Sequence, residues 1–193
     1  MTGVAVVGAH SPSASRAAGP DPAAAAALTI RRIAPEELEP TAALLVDAYG
    51  SDYSIDERYR QVLLDVRTRA RDHETWVAVD AEDGSLLGTV TTGRPGELIT
   101  PIGRPGELDF RLLGVAPSAR RRGVGRALTQ HVLRLAWERG ASAVVMNSGG
   151  QMHPAHRLYE SLGFEVLTER VREFGDGHVS LAFGITLPQP GRS

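Results

Sequence analysis

Two groups of residues in this chain have types and spacings that could carry chemistry. The first is the run Arg120-Arg121-Arg122-Gly123-Val124-Gly125-Arg126. It follows the apolar stretch Leu112–Ala116 and Pro117, and it precedes a pattern in which Val124, Ala127, Leu128, Val132, Leu135 and Ala136 share one helical face. The order is strand, tight turn, helix. A helix start presents N–H groups that have no internal acceptor, and with the helix dipole they suit a phosphate or pyrophosphate. Glycines in such a turn let the backbone approach the anion closely. The second group centres on Tyr159, in a helical segment that Pro154 opens and Gly163-Phe164 closes. Its phenol can donate or accept a hydrogen bond.

Three phosphate motifs compete for the arginine-glycine run. A Walker A loop needs Gly-x-x-x-x-Gly-Lys-Ser/Thr, and the chain has no such string. A dinucleotide fingerprint needs a third glycine where Leu128 stands, and Asn147 falls near the place of its acidic residue. The third candidate is the coenzyme A loop, Gln/Arg-x-x-Gly-x-Gly/Ala, of the GNAT acetyltransferases, which Arg120–Gly125 resembles. Downstream, the string from Ala155 to Phe164 resembles that family's Ala-x-x-x-Tyr-x-x-x-Gly-Phe. Two motifs in the right order and at the right separation make the resemblance specific. It extends over about Leu28 to Leu187.

The resemblance implies an α/β protein of GNAT fold, with a central mixed sheet of about seven strands and helices on both faces. It implies an N-acetyltransferase that moves an acetyl group from acetyl-CoA to a primary amine of a small molecule, amino acid or peptide. Carried over position by position, the cofactor-binding set is Leu113, Gly114, Val115, Arg120, Arg121, Arg122, Gly123, Val124, Gly125 and Arg126. Backbone groups of Leu113 and Val115 would pair with the pantetheine arm like a missing strand. Tyr159 would protonate the leaving thiolate. Asp109, six residues before Val115, stands where many relatives carry a strand glutamate, and Glu107 shares its face. Either carboxylate could take the amine proton through water. Some relatives carry a glutamate on the next strand, where Asn147 cannot act as a base. Met152 replaces an asparagine that is frequent in relatives. No metal is implied, and His153 and His156 read as surface residues because no ligand spacing links them. The alternative function is a non-catalytic acyl-CoA-binding module of the same fold.

These residues need elements to position them. Leu28–Ile33 reads as a first strand, Pro35 onward as a helix through Leu38, Ala42, Leu45 and Val46, and Tyr59, Val62, Leu63 and Val66 as a second helix. Thr75–Val79 and Leu86–Thr91 form a hairpin around Glu82-Asp83-Gly84-Ser85. Residues 93–106 form a loop in which Gly-Arg-Pro-Gly-Glu-Leu begins at Gly93 and again at Gly103, two turns of similar composition. Ala143–Met146 is a short buried strand. The end reads as a strand from Glu165 to Arg172, a turn at Gly175–Gly177 and a strand from Val179 to Leu187. Acceptor specificity falls to the Tyr49–Tyr59 segment, the loop before Asp109 and the Phe174–His178 turn. Asp52, Asp56 and Glu57 there would suit a cationic amine or simply face solvent.

The 193 residues allow one domain, at 28–187, with a disordered Gly/Ala/Ser/Pro-rich tail at 1–27 and frayed residues at 188–193. The net charge of −2 argues against a broad nucleic-acid surface. No stretch reads as a signal peptide or a membrane span. The absence of cysteine excludes disulfides and a cysteine nucleophile and suits a cytoplasmic protein. A homodimer is one assembly that these features allow.

Overall fold

The computed structural model describes residues 28–174, 177 and 179–188. The alanine-rich tail, most of the 175–178 turn and residues 189–193 lie outside the described residues.

Strand β1 (Leu28–Arg32) opens the sheet, and a 3-10 turn at Pro35–Glu37 leads into α1 (Leu38–Gly50). The single helix expected around Tyr59–Val66 is two: α2 (Glu57–Leu64) and α3 (Val66–Asp72). Asp65 divides them. Its backbone leaves the helical region at ψ 55°, and its carboxylate accepts from the Thr68 N–H at 3.3 Å. A side chain that caps a new helix competes with continuing the old one. Strands β2 (Glu74–Asp80), β3 (Leu86–Thr92) and β4 (Glu107–Val115) follow. After a 3-10 turn at Pro117–Ala119 come α4 (Val124–Glu138), β5 (Ala143–Gly149) and α5 (His153–Ser161).

The expected strand from Glu165 to Arg172 is instead two short strands, β6 (Glu165–Val166) and β7 (Arg172–Glu173), around a 3-10 turn at Thr168–Arg170. Both pair with β8 (Val179–Thr186). The turn has a packing reason. Leu167 folds against Gly184, where an added Cβ would meet its Cδ1 at 2.7 Å. Arg170 reaches in to grip both carboxylate oxygens of Glu107 at 2.7 and 2.8 Å.

The sheet has eight strands in the order β1-β2-β3-β4-β5-β8-β6, with β7 also on β8. All neighbours are antiparallel except β4 and β5. One face is covered by α4 and α5, where Val90, Phe110, Leu128, Val132, Val144, Tyr159 and Phe183 form the main core. On the other face, Ala42, Leu45, Leu63, Val66 and Leu112 pack between β4 and α1–α3. Helices therefore flank both faces of a mixed sheet, in agreement with the fold that the motifs imply.

The two Arg-Pro-Gly-Glu stretches form one turn twice. In each, the glutamate N–H donates to the arginine carbonyl, at 2.9 Å for Glu97–Arg94 and 3.0 Å for Glu107–Arg104. Each glutamate carboxylate accepts from the same arginine's N–H, at 3.3 and 2.9 Å. Gly96 and Gly106 supply φ of 81° and 88°, as the third position of a type II turn demands.

Candidate active site

The site begins where β4 and β5 part. They pair in parallel from Glu107–Ala143 to Phe110–Met146 and no further. Past that point β4 continues against β3 alone, with a bulge marked by Leu112 at φ 53°. A bulge bends its strand and increases the local twist, which here turns the Arg111–Val115 segment away from β5. The gap opens into a cavity of about 1460 Å³, lined by Leu113, Gly114 and Val115 on one side and by Met146, Asn147 and Ser148 on the other.

The arginine-glycine turn closes one end of this cavity. Arg121 and Gly123 both take left-handed backbone, at φ 62° and 79°. The Gly123 carbonyl then accepts the first α4 bond, from the Ala127 N–H at 3.0 Å. The N–H groups of Arg121, Gly123, Val124, Gly125 and Arg126 have no acceptor among the described residues. Gly125 sits where the helix start meets α5 and β4. A Cβ there would stand 3.2 Å from Leu158 and 3.6 Å from Val115.

The arginines divide. Arg120 donates to Asp52 at 2.8 Å, to the Ser51 hydroxyl at 2.7 Å and to the Ala48 carbonyl at 3.1 Å, so it pins the end of α1 to the turn. Arg122 donates to Asp80 at 2.7 Å and does not line the cavity. Arg126 lines it while donating to Ser161 at 2.7 Å, and Arg121 lines it with no partner among the described residues.

Tyr159 lies in the cavity wall, 3% exposed, with its ring packed edge-on to Phe110 and tilted on Phe164 and Phe183. Burial, and then the neighbouring Tyr53, push its phenol well above the usual tyrosine range. At neutral pH the phenol is therefore protonated and able to donate. Its hydroxyl has no partner among the described residues.

The two candidate base positions stand elsewhere. Asp109 is fully buried, and its carboxylate accepts from Ile99 N–H at 3.0 Å and from Thr100 N–H and hydroxyl at 2.6 Å. It is not in the cavity wall. Glu107 is committed to Arg170, whose guanidinium also reaches the Ile102 carbonyl at 3.1 Å. Asn147 does line the cavity, bonded to Ser180 at 3.1 Å.

His156 is also a correction to the surface reading. It is 8% exposed, tilted on Phe183 at 5.1 Å, with Nε2 3.1 Å from the Gly149 carbonyl. Its position one turn before Tyr159 puts it on the buried side of α5. His153 is exposed. Among the described residues no group of histidines and carboxylates could hold a metal ion, and no helix is long and apolar enough to cross a membrane.

The sequence assigned the Tyr49–Tyr59 segment to acceptor recognition but did not single out Arg111 in the far wall. Tyr49 on α1 donates to the Leu113 carbonyl at 3.2 Å, and Tyr59 meets its ring edge-on at 5.8 Å. Arg111 lines the same wall. Tyr59 was read as a helix residue, and Tyr49 only as one end of the recognition segment. Nothing in their spacing connects them to a residue 64 positions later.

Comparison with known proteins gives the same fold and family. The model of the acetyltransferase (GNAT) family matches residues 38–164. A mycothiol acetyltransferase of Cellulomonas flavigena is 36% identical over 104 residues, which are 50% of this chain and 30% of that protein. An uncharacterised N-acetyltransferase of Schizosaccharomyces pombe is 26% identical over 63% of this chain and 73% of its own length. This chain thus aligns with only about a third of the mycothiol acetyltransferases it matches. Among solved structures, a GNAT enzyme of Kribbella flavida superposes with a TM-score of 0.61 at 25% identity, covering 84% of this chain and 99% of that one. An aminoglycoside 6'-N-acetyltransferase crystallised with coenzyme A gives 0.63 at 15% identity, covering 84% and 99%. With the family model spanning both motifs and the sheet between them, this chain belongs to the GNAT acetyltransferase family.

Proposed function

We propose that this protein transfers an acetyl group from acetyl-CoA to a primary amine by direct attack within a ternary complex. One observation carries the reading. The unpartnered N–H groups of Arg121 and Gly123–Arg126 open on the same cavity as the Tyr159 phenol. A pyrophosphate suits the first and a leaving thiolate the second. The gap between β4 and β5 has the shape for an extended arm laid along Leu113–Val115. The Leu113 carbonyl keeps a second lone pair beside its bond from Tyr49.

The chain's own residues do little covalent work. The turn and strand hold the thioester, and effective concentration supplies much of the acceleration. The thioester carbon gains a bond to nitrogen and loses its bond to sulfur, and Tyr159 gives its proton to the departing sulfur. The base is not Asp109 in this reading, because its buried carboxylate is saturated by donors from the 99–100 loop. Asp52 and Asp56 line the cavity but serve Arg120 and the Tyr59 N–H, the latter at 2.6 Å. The acceptor therefore arrives as the neutral amine, and its proton leaves through water.

Calorimetric titration with acetyl-CoA tests the cofactor site. Wild type should bind in the micromolar range, about −8 kcal/mol, and Gly125→Glu should not, because its side chain brings bulk and charge to the pyrophosphate position. A folded wild-type protein that gives no heat would remove the basis of the reading. Thiol release with amine acceptors then separates an enzyme from a cofactor-binding module.

A further inference from the structure

The wall of the cavity opposite the arginine-glycine turn holds a cation that the acetyl-transfer reading does not use. Arg111 follows Phe110, the last β4 residue paired with β5. Its neighbour Leu112 packs with Leu45 and Leu63 beneath α1–α3. Arg111 itself acts electrostatically on Tyr49 and Tyr59 of the same cluster. It is half-buried in the cavity wall, and its guanidinium has no hydrogen bond or ion pair among the described residues.

A guanidinium in a partly dehydrated wall usually has a carboxylate beside it. Here the charged group that feels Arg111 is another arginine, Arg69. Arg69 is 8% exposed and donates to the Val62 carbonyl and, at 2.9 Å, to the Leu63 carbonyl, where it caps α2. Burial lowers its pKa to about 10, and Arg111 is the next cause. Asp65 offsets part of this, but it is bound to the start of α3 through Thr68. Of the carboxylates that line the cavity, Asp52 is paired with Arg120, and Asp56 caps α2 through the Tyr59 N–H. Among the described residues no carboxylate forms an ion pair with Arg111.

Resting on the acetyl-transfer reading, we propose that Arg111 binds a carboxylate of the acceptor, so that the substrate is a small amine that also carries an acid group. The planar fork of a guanidinium matches both oxygens of a carboxylate, and the Tyr59 phenol beside it can donate to the same group. Asp52, Asp56 and Glu57 are then not an acceptor site for a cationic amine. Arg111 is a specificity-determining residue, not a group that touches the reacting atoms.

The test is a kinetic panel of free amino acids, their carboxamides and a polyamine, with acetyl-CoA affinity measured by calorimetry on each variant. Wild type should show a KM at least about tenfold lower for the preferred acid than for its carboxamide. Arg111→Gln should raise KM for the acid about tenfold or more, with kcat within about twofold. It should leave the carboxamide KM and the acetyl-CoA Kd within about twofold. Arg111→Lys should recover part of the loss, since it restores charge without the fork. Equal effects on acid and carboxamide, a preference for the polyamine, or no turnover of any acid by protein that binds acetyl-CoA would each overturn the assignment. Loss of acetyl-CoA affinity in Arg111→Gln would reassign the residue to the cofactor. Wild-type protein that binds no acetyl-CoA would instead remove the underlying reading.

Discussion

Thr100 donates twice to Asp109, from its backbone N–H and from its hydroxyl, each at 2.6 Å to the same carboxylate oxygen. The carboxylate thereby fixes the loop that follows β3 onto the buried centre of β4. A group so satisfied has little capacity left to move a proton, and replacing it should act through folding. Asp109→Asn should lower stability by about 1–3 kcal/mol. The corresponding fall in Tm is about 2–10 °C. The pH dependence of kcat/KM should stay as in wild type. A lost acid limb in a folded Asp109→Asn protein would return this residue to the role of base.

Without a protein base, the ionisation that governs rate is the acceptor's own. The kcat/KM profile should rise with pH and level off near the pKa of the amine. Two acceptors whose amines differ by about two pKa units should give limbs displaced by about that amount. Superimposable limbs would point to an ionising group of the protein.

Tyr159→Phe keeps the ring against Phe110, Phe164 and Phe183 and removes only the hydroxyl. The expected loss is about a hundredfold in kcat, with acetyl-CoA affinity and Tm little changed. Release of an activated thiol, such as a thiophenol ester in place of coenzyme A, should be less sensitive to the mutation, because that leaving group needs no proton. Unchanged kcat on acetyl-CoA would take the phenol out of the acid role.

His131 predicts an acid limit to stability. It lies on α4 with its ring 4.4 Å from that of Trp76, and Arg134 stands 3.4 Å from its Nδ1. Burial, with Arg134 and Arg139 next, lowers its pKa to about 4, while Glu74 opposes the shift. The unfolded chain protonates this ring at about 6.5. Between those values the unfolded state binds more protons, so stability is full above about 6.5 and falls as pH drops toward 4. Urea melts across this range should show the slope in wild type and a shallower one in His131→Gln.

Local signals carried much of the fold. The α4 stripe, the Glu82–Ser85 hairpin and the twin Arg-Pro-Gly-Glu turns depend on neighbours a few residues away, so the chain displays them directly. The helical placement of Tyr159 and the turn at Gly123 were legible for the same reason. The break at Asp65 was not, because a capping side chain inside an apolar pattern looks like an ordinary exposed carboxylate. Nor was the fate of Asp109. A strand carboxylate may face solvent, a substrate or a loop, and only the position of Thr100 decides. Arg120 and Arg122 look equivalent to Arg121 in the string, yet distant Asp52 and Asp80 take them. Arg111 was invisible, since what marks it is the lack of a partner.

The place of β8 bears on how the protein is made. It is the last described strand, yet it lies inside the sheet, bonded to β5 along Ala143–Gly149 and to β6 and β7 on its other edge. A nascent chain that has emerged only through residue 174 holds β5 with one edge bare. That edge carries Val144, Val145 and Met146, which the finished sheet buries almost completely. A ribosome stalled in this interval, or a product truncated before Val179, presents an apolar strand edge open to pairing with another chain. Although last in chain order among the described strands, β8 is thus the strand that covers the β5 edge.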